Sequence, residues 1–158
     1  MLFVWVSDCR GILVSQDNLK KYQFLEHTAD AKFQAFGRSL EEAFVNAVYA
    51  TVSLMWDREK IGRKIQQPVK VQGRDLEQLL VNFLEEILYL LDSQMFLLHS
   101  AEKIKIWREA EMYVLEGHFF GDDYGKNYQP YGDVKAITYN EMEIHTNDLF
   151  MVQVVVDV

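Results

Sequence analysis

The 158 residues hold one cysteine, Cys9, and only two prolines. A lone thiol excludes an intrachain disulfide and a cysteine-based zinc site, and it fits a reducing compartment, so the expected location is cytoplasmic. Positive charge is also scarce: 16 Lys and Arg face 24 Asp and Glu, for a formal net charge of −8. Nonspecific affinity for nucleic acid comes mainly from Lys and Arg displacing counterions, so no direct nucleic-acid partner is expected. Residues 1–6 are an apolar run, but it is too short to span a bilayer and lacks the basic start and small-residue cleavage site of a secretory signal. No membrane partner is expected either. A nucleophile motif, a phosphate-binding glycine loop, a zinc signature and a dinucleotide fingerprint are all missing, which leaves catalysis by this chain alone with little support. No internal repeat, low-complexity tract or Pro/Gly/Ser linker stands out.

The chain does have the apolar content for a sizeable core: 49% of its residues are hydrophobic, enough for one domain of this length. We expect a single domain over 22–158. Residues 1–21 form an N-terminal extension that reads as an extra strand, a disordered arm or an upstream start chosen in error.

Hydrophobic periodicity places the elements. Ala31, Phe33 and Ala35 alternate with Lys32 and Gln34, a strand period that Gly37 ends. Ser39 with Glu42 three residues on is a capping box, in which the serine accepts from the N3 amide and the glutamate reaches back to the N-cap amide. Leu40, Ala43, Phe44, Ala47, Val48 and Thr51 then fall on one face of a helix over 40–54. Asp75 and Gln78 repeat the capping spacing, and Leu76, Leu79, Leu80, Phe83, Leu84, Ile87, Leu88 and Leu91 draw the strongest helical stripe in the chain. Such a stripe is core, so this helix must lie on a sheet. A short strand at 68–73 starts with Pro68, where a missing donor does least harm. Further strands read at 103–108, 112–120, 134–145 and 149–156, with Asn147-Asp148 as a hairpin connection. The order points to an α+β fold: a largely antiparallel sheet with two main helices packed on one face.

Candidate chemistry lies in a few places. Asp30 closes the tetrapeptide His27-Thr28-Ala29-Asp30, and Asp157 follows the run Val154-Val155-Val156, beside the carboxylate of Val158. Carboxylate and carbonyl oxygens suit hard cations such as calcium, magnesium or manganese. The plainer account is a turn cap at Asp30 and a solvated Asp157. His27 reads as a structural histidine, or as the one group able to activate water were the chain a metal-dependent hydrolase. The stretch 117–125 is turn-rich, and its Asp122 and Asp123 read as loop solvation. Lys135 shares a strand face with Ile137 and Tyr139; its stem can snorkel, or its ammonium can pair with a carboxylate at the site.

Five blocks in order resemble the archease family: His27-Thr28-Ala29-Asp30; Gly37-Arg38-Ser39-Leu40-Glu41-Glu42-Ala43-Phe44; Leu79-Leu80-Val81-Asn82-Phe83-Leu84-Glu85-Glu86-Ile87-Leu88-Tyr89; Val134-Lys135-Ala136-Ile137-Thr138-Tyr139; and Val156-Asp157-Val158. The resemblance covers 22–158. It implies a non-catalytic accessory protein of the RNA-splicing ligase that joins tRNA exons, promoting the ligase's guanylylation by GTP and its multiple turnover. It also implies a divalent-cation site on Asp30, Asp157 and Val158, with calcium expected in structures and magnesium or manganese as alternatives. His27 and Lys135 match family motifs as well. The chain departs from the family at Asn140, where histidine is frequent, and at His118, where glutamate is frequent. A second reading of the resemblance makes the chain a chaperone or specificity modulator of a tRNA methyltransferase.

Overall fold

The computed structural model describes residues 5–7, 13–15, 20–125 and 127–158. Among the described residues, three antiparallel groups of strands, two α-helices and a single 3-10 turn at Arg58–Lys60 make the fold. Strand β1 (Trp5–Ser7) pairs with β2 (Leu13–Ser15) as a small hairpin, so part of the apolar N-terminal run is a strand, while residues 1–4 lie outside the described residues. Four strands form one sheet in the order β3-β4-β9-β8: β3 (Tyr22–Leu25), β4 (Ala31–Gly37), β8 (Ala136–His145) and β9 (Phe150–Asp157). Three form another in the order β5-β7-β6: β5 (Ile65–Gly73), β6 (Phe96–Glu109) and β7 (Met112–Asp123). Helices α1 (Leu40–Ser53) and α2 (Leu76–Gln94) touch each other and strands of both sheets. The α+β class with antiparallel pairing is as expected, and the strands divide between two sheets. Among the described residues no helix is long and apolar enough to cross a membrane.

The two strand-to-helix junctions are built alike. In each, a glycine ends the strand against the helix: a Cβ on Gly37 would lie 2.4 Å from the Ala43 nitrogen, and one on Gly73 2.4 Å from the Leu79 nitrogen. Only a residue without a side chain fits there. The N-cap oxygens of Ser39 and Asp75 accept from the amides of Glu42 and Gln78, at 3.1 and 2.7 Å. The return bonds differ from the expected box by one residue: Arg38 N–H donates to Glu42 Oε2 and Arg74 N–H to Gln78 Oε1, both at 2.8 Å. The side chains thus reach past the N-cap to the amide before it. One turn further on, Asn46 donates to the Phe36 carbonyl and Asn82 to the Gln72 carbonyl, both at 2.7 Å. The repeat is written in the sequence as well, where Gly-Arg, Leu-Glu and Val-Asn recur at matching places in 37–46 and 73–82, and this corrects the reading that no internal repeat stands out. Asp75→Ala is expected to cost about 1 kcal/mol, the usual worth of an N-cap, read as a lower urea midpoint at unchanged slope.

The stripe of α2 is core. Leu79, Leu80, Phe83 and Leu84 are fully buried, and Phe83 joins three elements, its ring 6.4 Å from Phe44 of α1 and 5.5 Å from Phe119 of β7. Several strands differ from expectation: β3 was not foreseen, β7 runs on to Asp123, β8 starts at Ala136, and β5 and β6 start early. Pro68 sits inside β5, opposite His118, and not at its start; β5 is an edge strand, the place in a sheet where proline is tolerated. Strand β6 starts at Phe96, well before residue 103. Its first residues, Phe96, Leu97 and Leu98, are all buried, and a continuous apolar run carries no alternation to mark it as a strand.

Candidate functional site

One end of the four-stranded sheet collects the residues singled out above. Strands β4 and β9 are antiparallel neighbours with Ala31 opposite Val156. Asp30 precedes Ala31 and Asp157 follows Val156, so both lie where this pairing ends. On the far side of β9, Asp157 faces Ala136, and the Lys135 N–H donates to the Asp157 carbonyl at 2.8 Å. Three segments distant in sequence therefore meet at one edge, and Val158 is the next residue of the central one.

The chain enters this edge through a tight turn. The Asp30 N–H donates to the Thr28 carbonyl at 2.9 Å, with Ala29 at φ 67°. An L residue avoids that left-handed region at a cost of roughly 1–2 kcal/mol, and three-residue turns of this hand are rare and strained. Strain of this kind persists where the surroundings over-determine it, and here the surroundings are a charge cluster. Glu141 Oε2 lies 3.2 Å from both Lys32 Nζ and His27 Nε2, so one carboxylate holds the residues on either flank of the Asp30 turn. The hydrogen bond from Lys32, then its charge, holds the Glu141 carboxyl below the usual carboxylate range. Glu141 itself sits in a bulge of β8, at φ 52°, where the register with β9 breaks between Thr138 and Glu143. Gln153 pins that bulge by donating to the Glu141 carbonyl at 2.8 Å.

This cluster sets the electrostatics of the edge. Lys32 and His27 are committed to Glu141, and Lys135 is exposed without an ion pair among the described residues. Neither Asp30 nor Asp157 pairs with a Lys, Arg or His among the described residues. Carboxylates without a protein cation and main-chain oxygens at a strand end are hard oxygen donors, the kind a divalent cation takes. Among the described residues no group of three or more His, Cys, Asp or Glu side chains is placed to hold a metal. A cation here would rest on two carboxylates, the oxygens of Val158 and water. His27 is engaged with Glu141 through Nε2, while its buried Nδ1 has no hydrogen-bond partner.

Glu141 was not singled out by sequence reasoning. Its signal is the broken alternation at Tyr139, Asn140 and Glu141, three exposed residues in a row within a strand. The reading of Asp122 as loop solvation is corrected. Asp122 lies within β7 and is buried; it accepts from Tyr128 Oη and from the Asp123 N–H, both at 2.9 Å, with Lys64 Nζ at 3.7 Å. The Tyr128 hydrogen bond, followed by that of the Asp123 amide, keeps its carboxyl below the ordinary value of 3.8. A depressed carboxylate stabilises the fold above its unfolded pKa, and that contribution fades as pH falls through the lower folded value. Denaturant midpoints of the wild type should therefore drop on acidification below about pH 4. In Asp122→Asn the fall should be shallower.

The fold and this edge define a small two-sheet α+β protein with an aspartate at each of two central strand ends that meet. The model of the Archease protein family (MTH1598/TM1083) matches residues 22–158, and the chain belongs to that family. It is 37% identical over 141 residues to the protein archease of Methanosarcina barkeri, covering 88% of this chain and 97% of that one. It is 36% identical over 143 residues to the protein archease of Pyrococcus furiosus, covering 89% and 100%. The solution structure of Methanobacterium thermoautotrophicum protein 1598 superposes with a TM-score of 0.76 at 30% identity, over 89% of this chain and all of that one.

Proposed function

We propose that this protein is an accessory factor of an RNA-splicing ligase in tRNA exon joining, promoting the ligase's guanylylation by GTP and its multiple turnover, with no chemistry of its own. Membership of the archease family supports the reading. The observation that supports the site is the pairing of Ala31 with Val156, at whose end both Asp30 and Asp157 lie. In this reading Asp30, Asp157 and the oxygens of Val158 hold a divalent cation. A cation supplies charge neutralisation where phosphate groups crowd together. The protein's own part is to keep the two carboxylates adjacent and unpaired, with Glu141 drawing Lys32 and His27 away from them.

The ligase partner follows from the family resemblance. The test mixes purified protein with the ligase, GTP and manganese, then counts labelled ligase. A rise in guanylylated ligase and in product per ligase molecule is expected. An unchanged yield of both would overturn the reading, and recovery of a tRNA methyltransferase without ligase from cell extract would replace it with the alternative.

A further inference from the structure

The three-stranded sheet has an outer face that the site above does not use. Cross-strand rows on that face run Lys105, Glu116, Lys70 and then Glu102, His118, Pro68. Between these rows β6 carries a bulge: its register with β7 skips from Glu102 to Lys105, and Lys103 within the bulge has φ 57°. In a regular strand Glu102 and Lys105 would point to opposite faces, because side chains alternate. The extra residue brings Lys105 round to the face of Glu116 and His118, which is how bulges re-aim side chains. A lysine held in the left-handed region is a local strain that L residues avoid.

The result is a cleft of about 730 Å³, lined by Lys70, Lys103, Lys105, His118 and one carboxylate, Glu116, together with apolar Val69 and Ile104. Lys70 is 3.2 Å from Glu116. Lys103 and Lys105 have no acidic partner among the described residues. His118 Nδ1 is buried without a hydrogen-bond partner. In a chain of net charge −8 the overall field repels anions, so unpaired ammonium groups converging on one concave site stand out. The volume falls within the range of about 300–1,000 Å³ usual for small-molecule sites.

We propose that this cleft binds a ligand bearing linked phosphate groups, with Lys103 and Lys105 meeting phosphate oxygens and the apolar lining taking the remainder of the molecule. Lysine suits the role because its compact ammonium is a point charge for phosphate. A free nucleotide and an RNA strand both present this chemistry. The proposal stands apart from the Asp30 edge, which lies on the other sheet.

Calorimetric titration of the full chain at low salt, with sodium tripolyphosphate, GTP and a short single-stranded oligoribonucleotide as separate probes, tests it. Saturable binding of tripolyphosphate is expected, weakened by about tenfold for each ammonium lost in Lys103→Gln/Lys105→Gln. Lys60→Gln, whose side chain is outside the cleft, should bind as the wild type does. GTP binding at least as tightly as tripolyphosphate assigns the site to a nucleotide; an oligoribonucleotide binding more tightly than both assigns it to an RNA strand. Lys70→Gln/Lys105→Gln serves in place of the first pair should the bulge not tolerate change at Lys103. No saturable binding of any probe, or equal losses in Lys60→Gln and the cleft variants, would overturn the proposal.

Discussion

Asp30→Ala and Asp157→Ala proteins, each still folded, should fail to stimulate guanylylation of the ligase and should bind calcium or manganese about a hundredfold more weakly, or worse. Loss of an outer partner of a metal ligand already costs roughly 10–100-fold in affinity, and these carboxylates would be ligands themselves. Stability separates this cause from simple damage. Carboxylates gathered at one sheet end without a protein cation repel each other, so removing one should leave the metal-free melting temperature unchanged or raise it. A cation that binds only the folded state stabilises it by about 2.7 kcal/mol at a hundred times its dissociation constant. The wild type should therefore melt higher with the metal, and both variants should lose that rise. Asp30→Asn tests charge against shape, since it keeps the turn and removes the negative charge. Variants that keep both the metal-dependent rise and full stimulation would leave the edge without its proposed role.

How much of this edge was readable beforehand depends on whether the determinant is local. The helices were, because a capping side chain and an apolar stripe act within a few residues; Ser39, Asp75 and the leucines of α2 are where periodicity puts them. The antiparallel α+β class followed from the order of elements. The division into two sheets did not, since no local signal tells Lys32 that its neighbour is Val155 and not a strand of the other sheet. The register of β4 with β9 is a long-range fact, yet it is the one that brings Asp30 and Asp157 to one end of the sheet. The residues mark both aspartates as candidates, and family resemblance joins them into one site. The bulges at Lys103 and Glu141 were also illegible: the first adds one residue to a ladder and the second three, and only the partner strand shows where the register slips. Both bulges carry charged residues into a cluster or a cleft. Asp122 was misread because aspartates flanked by glycines look like turn chemistry, whereas the chain continues as a strand and Tyr128 covers the carboxylate.

The same distinction between local and long-range determinants predicts where the fold breaks first. Phe83→Ala is expected to cost about 3–5 kcal/mol, the usual range for truncating a buried aromatic. That is a large share of the roughly 5–15 kcal/mol that holds a domain together. The loss should be at the upper end because Phe83 has no solvent exposure and its ring lies between Phe44 and Phe119, each on a different element. No neighbour can collapse into the space without moving either α1 or β7. Tyr89 lies on the same helix but is 61% exposed, so Tyr89→Ala should shift stability by no more than about 0.5 kcal/mol. Urea denaturation of the two variants, followed by circular dichroism, gives the comparison. Comparable losses in both would mean that the aromatic contacts of Phe83 do not tie α1, α2 and β7 together.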